Sequence, residues 1–231
     1  MNLYIVIEGE QTERQLYPQW ISYTVPELNK VDTYKQVTQN SYYVFCGQGI
    51  PHIYKHTANA IRDINQFGRY NYLIVCLDCD ELSPNARQQK LLDYLNAEGV
   101  SLNPSCQLRI VTQNACVESW FLGNRKVFRR NPEGEKFKEF INFYDVSIED
   151  PEVMGKYAGY KQKAHFHEAY LKEMLKERNQ SYRKSNPKAV LNEPYYLELR
   201  KRIVEEPLQM ETFRYFIDVC QEVKSLIEIE I

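Results

Sequence analysis

Two short runs constrain this chain more than any other feature. Leu3-Tyr4-Ile5-Val6-Ile7 and Tyr72-Leu73-Ile74-Val75-Cys76-Leu77 are rich in β-formers and carry no charge. A strand with one face in water alternates apolar and polar residues. An unbroken apolar strand is covered on both faces, which is the condition of a parallel sheet held between two layers of helix.

The rest of the N-terminal half fits that condition. Thr12 to about Leu28 reads as helix, Ser41 to Cys46 as strand and Ile50 to Gln66 as helix. Ser83-Pro84 reads as an N-cap with proline at the first helical position, opening a helix that runs to about Glu98 and stops at Gly99. Gln107 to Thr112 is a further strand, and a short helix follows from Asn114 or Ala115 to Leu122. This βαβαβαβα order predicts an α/β fold of Rossmann type, a mostly parallel sheet with helices on both faces. After Asn131-Pro132 the pattern becomes helical, with helices expected at Glu133 to Phe140, Tyr160 to Arg178, Tyr195 to Glu205 and Met210 to Ile227. The expected division is residues 1–124 for the α/β part and 125–231 for a helical C-terminal region.

Where the strands end, acids collect. Glu8 stands at the tip of the first apolar run, followed by Gly9, Glu10 and Glu13. Asp78 and Asp80 follow the Tyr72 to Leu77 run, and Glu118 opens the short helix after the fourth strand, among Val117, Trp120, Phe121 and Leu122. Polar groups that follow the carboxyl ends of parallel strands gather at one rim of the sheet, where ligands bind. Carboxylates gathered there repel one another unless a cation sits among them, which points to Mg²⁺ or Mn²⁺. In extended chain Asp78 and Asp80 share a face. An acidic first turn also suits a helix dipole, so Glu10 and Glu13 have a structural reading beside the functional one.

These residues resemble the Toprim (topoisomerase–primase) family, in which a glutamate follows the first strand and a DxD the third. Glu8 matches the glutamate, and Asp78 and Asp80 match the DxD. The strings IVIEGEQTE, LIVCLDCDE and ACVESWFLGN are similar to those of small bacterial Toprim proteins related to the OLD-family nucleases and to RloB. The resemblance covers about residues 3 to 124. It implies a Mg²⁺-dependent (or Mn²⁺-dependent) endonuclease. Asp78 and Asp80 would be metal ligands and Glu8 a ligand or general acid/base. Glu13 and Glu118 would complete a second metal site. Lys161, Lys163 and Lys184 are candidates on charge alone for meeting nucleic acid, whether DNA or RNA, tRNA included. OLD proteins fuse this domain to an ABC-type ATPase, whereas this sequence has no Walker A loop (GxxxxGK then Ser or Thr). The resemblance therefore implies a separate ABC-type ATPase subunit and a role in bacterial anti-phage defence, with a homodimer allowed. The competing expectation is a non-catalytic Toprim-like subunit that binds a nucleic acid or an ATPase complex.

Composition narrows the partners. The formal net charge is −2, so the whole chain is no polycation. From Lys156 to Arg202, however, 12 Lys and Arg face 5 Asp and Glu, and from Ile203 to Ile231 7 acids face 2 bases. The basic stretch reads either as a phosphate-facing surface or as a solvated face balanced by its neighbour. Cys76 and Cys79 form a CxxC with no second pair at zinc-finger spacing. His52 and His56 read as surface or packing residues, and His165 and His167 point apart on a helix. No positively charged leader with a long apolar run opens the sequence, and no membrane span is expected, so the reading is cytoplasmic.

Overall fold

In the computed structural model, which describes residues 1–229, the two apolar runs become neighbouring strands. In chain order the first elements are β1 (Asn2–Ile7), α1 (Thr12–Thr24), β2 (Asn29–Val31), β3 (Ser41–Cys46), α2 (His52–Phe67), β4 (Tyr72–Asp78), α3 (Pro84–Ala97) and β5 (Gln107–Gln113). Then come α4 (Val117–Phe121), α5 (Glu135–Phe143), α6 (Lys163–Lys176), α7 (Lys188–Leu191), α8 (Glu193–Glu205) and α9 (Glu211–Ile229). The strands form one all-parallel sheet in the order β2-β3-β1-β4-β5, flanked by helices, and the C-terminal region is helical. β1 is central, with Ile5 opposite Val44 of β3 and Ile74 of β4.

Packing divides the chain into two compact units, and their limits do not follow the sequence boundary near residue 124. The first holds Met1–Leu77, Pro84–Thr112 and the chain from Tyr215 on; the second holds Asp78–Ser83 and Gln113–Arg214.

In the first unit the period of two sorts the strands. Tyr4 and Val6 of β1 and Leu73, Val75 and Leu77 of β4 face one way, against Ile53, Ile61 and Ile64 of α2 and Leu91 and Leu95 of α3. Leu3, Ile5, Ile74 and Cys76 face the other way, against Tyr17 and Ile21 of α1 and Phe216, Cys220 and Val223 of α9. Right-handed crossovers require this division: α1 carries the chain from β1 one way along the sheet, and α2 and α3 carry it the other way. The α1/α9 layer leaves a void of only about 10 Å³. Glu222 pins α9 to the sheet, accepting from Tyr72 Oη at 2.9 Å and from Arg109 at 2.8 Å. The last helix is thus part of the α/β unit. Its apolar stripe, Phe213, Phe216, Cys220, Val223 and Ile227, announces burial but not against what.

Several boundaries differ from the sequence expectation. α1 ends at Thr24, short of Leu28. The edge strand β2 was not expected, because Asn29-Lys30-Val31 has no apolar pattern. It forms by pairing with Ser41, Tyr42 and Tyr43. α4 begins at Val117 because Ala115 sits at φ 65°, which a right-handed helix cannot include. α6 begins at Lys163 and leaves Tyr160 in a turn.

The second unit packs around aromatic rings. Phe140 stacks on Tyr170 at 5.6 Å and meets Phe166 edge-on at 5.1 Å. Two buried ionisable side chains organise its loops. Arg202, 1% exposed, donates to the carbonyls of Gly123, Val146 and Glu149 and to Gln209 Oε1. Burial pulls its guanidinium down to about 10. Glu152 accepts from the backbone N–H groups of Thr212 and Phe213 and from Thr212 Oγ1, at 2.8 to 3.0 Å, so it caps the start of α9. Burial nevertheless pushes its carboxyl up to about 7 against those three donors.

Two outcomes follow for stability. Phe216→Ala should lower the unfolding free energy by about 3–5 kcal/mol in denaturant titration, because it empties the α1/α9 layer; a change under about 1 kcal/mol would show that α9 is not part of that core. Glu152 is raised in the folded chain, so between about pH 4.5 and pH 7 the folded state holds a proton that the unfolded state has released. Its contribution is full below that window and is lost as pH rises through it. The melting temperature should fall across the window more steeply in the wild type than in Glu152→Gln, and equal slopes would remove Glu152 as the cause.

Candidate functional site

In an open parallel sheet, ligands bind where neighbouring strands send their connections in opposite directions. Here that point lies between β1, whose connection α1 leaves towards β2, and β4, whose connection α3 leaves towards β5. Glu8 follows β1, and Asp78 is the last residue of β4.

In the first unit the loop after β1 is held from two sides. Glu13, 4% exposed, accepts from the Gly9 backbone N–H through Oε2. A Cβ at residue 9 would meet that oxygen, so a larger residue there would require the Glu13 carboxylate to move. The Gly47-Gln48-Gly49 turn donates to the same strand end: Gly47 N to the Ile7 carbonyl at 2.7 Å and Gly49 N to the Glu8 carbonyl at 3.1 Å. This glycine pair therefore braces a backbone. Beside it, Arg14, Lys30, Glu10 and Asp32 line a groove with a volume of about 370 Å³. His56 packs on the Phe45 ring at 4.8 Å.

In the second unit Asp78, Cys79 and Asp80 run beside Gln113 to Ala115, with Cys79 N donating to the Gln113 carbonyl and Asp80 N to the Ala115 carbonyl, both at 2.9 Å. Asp80 lies at φ 52°. The extended alternation that would put Asp78 and Asp80 on one face therefore stops at Cys79, and the spacing alone does not set the direction of Asp80. The next acid, Glu81, accepts from the backbone N–H of Lys163 at 2.7 Å and so caps α6. Sequence reading had assigned Glu81 nothing.

Glu118 is the most enclosed of the candidate acids, at 0% exposure. Tyr182 donates its hydroxyl to Oε1 at 2.8 Å, and the Lys184 ammonium stands 3.6 Å from the same oxygen. Oε2 is buried, and the Cys116 thiol is hydrogen-bonded to the same carboxylate. Lys184 is also 3.9 Å from Glu168. Burial alone would lower the Lys184 ammonium, but Glu118, Cys116, Glu168 and Asp78 outweigh it and hold the group above its usual range. Burial pushes the Cys116 thiol well up, and the charges of Glu118 and Asp78 push it further. Asp78, Cys116, Glu118 and Lys184 thus share one electrostatic neighbourhood. Next to Glu118, Ser119 Oγ lies 2.8 Å from His167 Nδ1, and His167 Nε2 lies 2.9 Å from the Met154 carbonyl. Burial lowers His167 to about 4, so it is a neutral strut between α4 and α6.

Of the three lysines chosen on charge, Lys184 stands among these acids. Lys163 is tied by its backbone to Glu81, and the Lys161 carbonyl accepts from Lys156 at 3.3 Å. Tyr182, Glu168 and His167 were not singled out as site residues. The only sequence signal for the first was the polar string from Tyr182 to Pro187, and nothing in the sequence links His167 to Ser119.

Mg²⁺ commonly takes one or two carboxylates and keeps several waters. Asp78 and Glu118 are carboxylates of the kind that chemistry uses. Among the described residues no group of three or more His, Cys, Asp or Glu is placed to hold a metal ion by itself. No family model, no curated protein and no solved structure matches the chain. Among the described residues no helix is long and apolar enough to cross a membrane.

Tyr182→Phe removes the hydroxyl donor of a buried carboxylate. The expected loss is about 1–3 kcal/mol of stability in denaturant titration, and an unchanged midpoint would mean that Glu118 does not depend on it.

Proposed function

We propose that this chain is a Mg²⁺-dependent (or Mn²⁺-dependent) nuclease that cleaves phosphodiesters of nucleic acid. The observation that carries the reading is the buried Glu118 carboxylate in one charged neighbourhood with Asp78, at the end of a strand that flanks the switch point of a parallel sheet. A carboxylate this enclosed is costly unless a positive charge meets it; Lys184 stands 3.6 Å away, and in this reading a bound cation would add to that charge.

In this reading Asp78, Asp80 and Glu118 would hold the cation, and Glu8 would serve as a ligand or the general acid/base. When bound, a divalent cation polarises the scissile phosphate and lowers the pKa of an attacking water. The residues of the chain do the rest. Glu13 keeps the loop after β1 closed through Gly9. His167 and Ser119 hold α4 in place beneath Glu118. The basic stretch that includes Lys161, Lys163 and Lys184 attracts the phosphate backbone. The resemblance to small Toprim proteins extends the proposal to a cytoplasmic effector of anti-phage defence, working with a separate ABC-type ATPase.

Two observations favour a second reading, a non-catalytic Toprim-like binding subunit. Glu13 is engaged by the backbone of Gly9, and no triple of candidate ligands stands assembled among the described residues.

Purified chain incubated with DNA and RNA in Mg²⁺ or Mn²⁺ decides between them. Glu8→Ala and Asp78→Ala should each reduce cleavage by about a hundredfold or more, with melting temperatures near that of the wild type. Full metal-dependent cleavage by the double variant would exclude the mechanism. Binding of nucleic acid without cleavage by the wild type would establish the second reading.

A further inference from the structure

In the first unit the outer edge of the sheet is covered along only part of its length. The odd-numbered residues of β3 bond to β1: Ser41 N donates to the Met1 carbonyl at 3.2 Å and Gly47 N to the Ile7 carbonyl at 2.7 Å. The even-numbered residues turn their backbone groups the other way, towards β2, where Asn29 N donates to the Asn40 carbonyl at 2.8 Å. β2 pairs no further than Val31 opposite Tyr43. Thr33 is the residue that would carry this ladder on. Its N–H goes instead to Gln36 Oε1 at 3.1 Å, and its carbonyl accepts from Gln36 N at 3.0 Å. Among the described residues no backbone group replaces it beside the Val44 carbonyl and the Cys46 N–H. These two positions line the groove of about 370 Å³ noted above. Its charged residues, Arg14, Lys30, Glu10 and Asp32, make no ion pair or side-chain hydrogen bond among the described residues. The period of two puts Val44 and Cys46 on one face of β3 and Phe45 on the other. The charges of Arg14, Glu10 and Lys30 act on the Cys46 thiol, and Phe45 packs on the His56 ring.

We propose that Val44 to Cys46 is a docking edge for an extended segment of a partner protein, which adds as a strand in the line that β2 leaves at Val31. An acceptor and a donor at strand spacing match one residue of an incoming chain: its N–H meets the Val44 carbonyl and its carbonyl meets the Cys46 N–H. That residue stands opposite Phe45 and is apolar. Its two neighbours point to the other face, where an acid meets Arg14 and Lys30 and a base meets Glu10. Two bases and two acids line the groove, so a polyanion gains no net attraction there, and nucleic acid is not the occupant.

Amide hydrogen exchange of the full chain, followed by NMR, tests this with the acetylated and amidated pentapeptide Val-Glu-Val-Lys-Val as probe. Without peptide the Cys46 amide should exchange much faster than those of Phe45 and Gly47, which the β1 ladder holds. Saturating peptide should slow the Cys46 amide by about tenfold or more. Cys46→Pro removes the donor without touching the β1 ladder, and should weaken peptide binding by about tenfold or more at a melting temperature near that of the wild type. Cys46→Ala, which keeps the N–H, should bind within about twofold of the wild type. If the proline variant does not fold, the peptide methylated on its central amide removes the bond to Val44 from the other side, and should bind about tenfold more weakly. No peptide binding in the millimolar range would overturn the docking edge, as would equal binding of the methylated peptide. Protection of Cys46 that rises with protein concentration, in the absence of peptide, would assign the edge to a second copy of the chain and overturn the partner protein.

Discussion

Burial of β1 on both faces is the constraint from which the other features follow. Leu3 to Ile7 are each at most 4% exposed, so the strand needs a partner on each side and a layer above and below. The strands β3 and β4 provide the first. α2 and α3 cover one face, and α1 with α9 cover the other. At about 25 cal/mol per Å² of apolar surface removed from water, side chains of this size contribute about 1.5–3 kcal/mol each. Such a layer leaves polar groups only at the strand ends. Glu8 and Asp78 take those places because nowhere else on these strands tolerates a charge.

In the second unit buried polar groups take over the organising role. Arg202 reaches three carbonyls in two connections, Gly123 in one and Val146 and Glu149 in the other, which one guanidinium can do because its donors fan out in a plane. Glu152 closes the start of α9, and His167 with Ser119 joins α6 to α4. The unit has short helices and long connections, so its apolar stripes alone would leave the loops undetermined. Fully satisfied buried donors restrict them to one arrangement.

Much of the first unit was legible from the chain alone, since strand burial and helix stripes are local signals. The apolar runs, the Ser83-Pro84 start and the Gly99 stop lie within a few residues of the structural boundaries. β2 was not legible, because an edge strand of Asn29-Lys30-Val31 forms by pairing and not by burial. The place of α9 was not legible either. Its stripe shows that it packs, but the choice of the sheet over the other helices depends on Phe216 meeting Tyr17 and on Glu222 meeting Tyr72, residues far apart in the chain. The candidate acids were visible because strand ends can be read. Their partners were not, because Tyr182 and Lys184 reach Glu118 from a turn more than sixty residues away.

The DxD spacing shows how a motif and its geometry separate. Two acids at i and i+2 share a face only while the chain stays extended. At Asp80 the backbone is left-handed, and it is so where the neighbouring segment also turns, at Ala115. The first segment donates backbone hydrogen bonds to the second at these points, so the two bends are tied together. A non-glycine residue with positive φ costs about 1 kcal/mol or more, and asparagine and aspartate tolerate it best. An aspartate at position 80 is thus suited to the turn whether or not it binds an ion. Asp78, still on the strand, and Glu118, enclosed by the helix that follows, have no such local explanation. Within the chain, Glu118 is met by the Lys184 ammonium at 3.6 Å and by the Tyr182 hydroxyl at 2.8 Å.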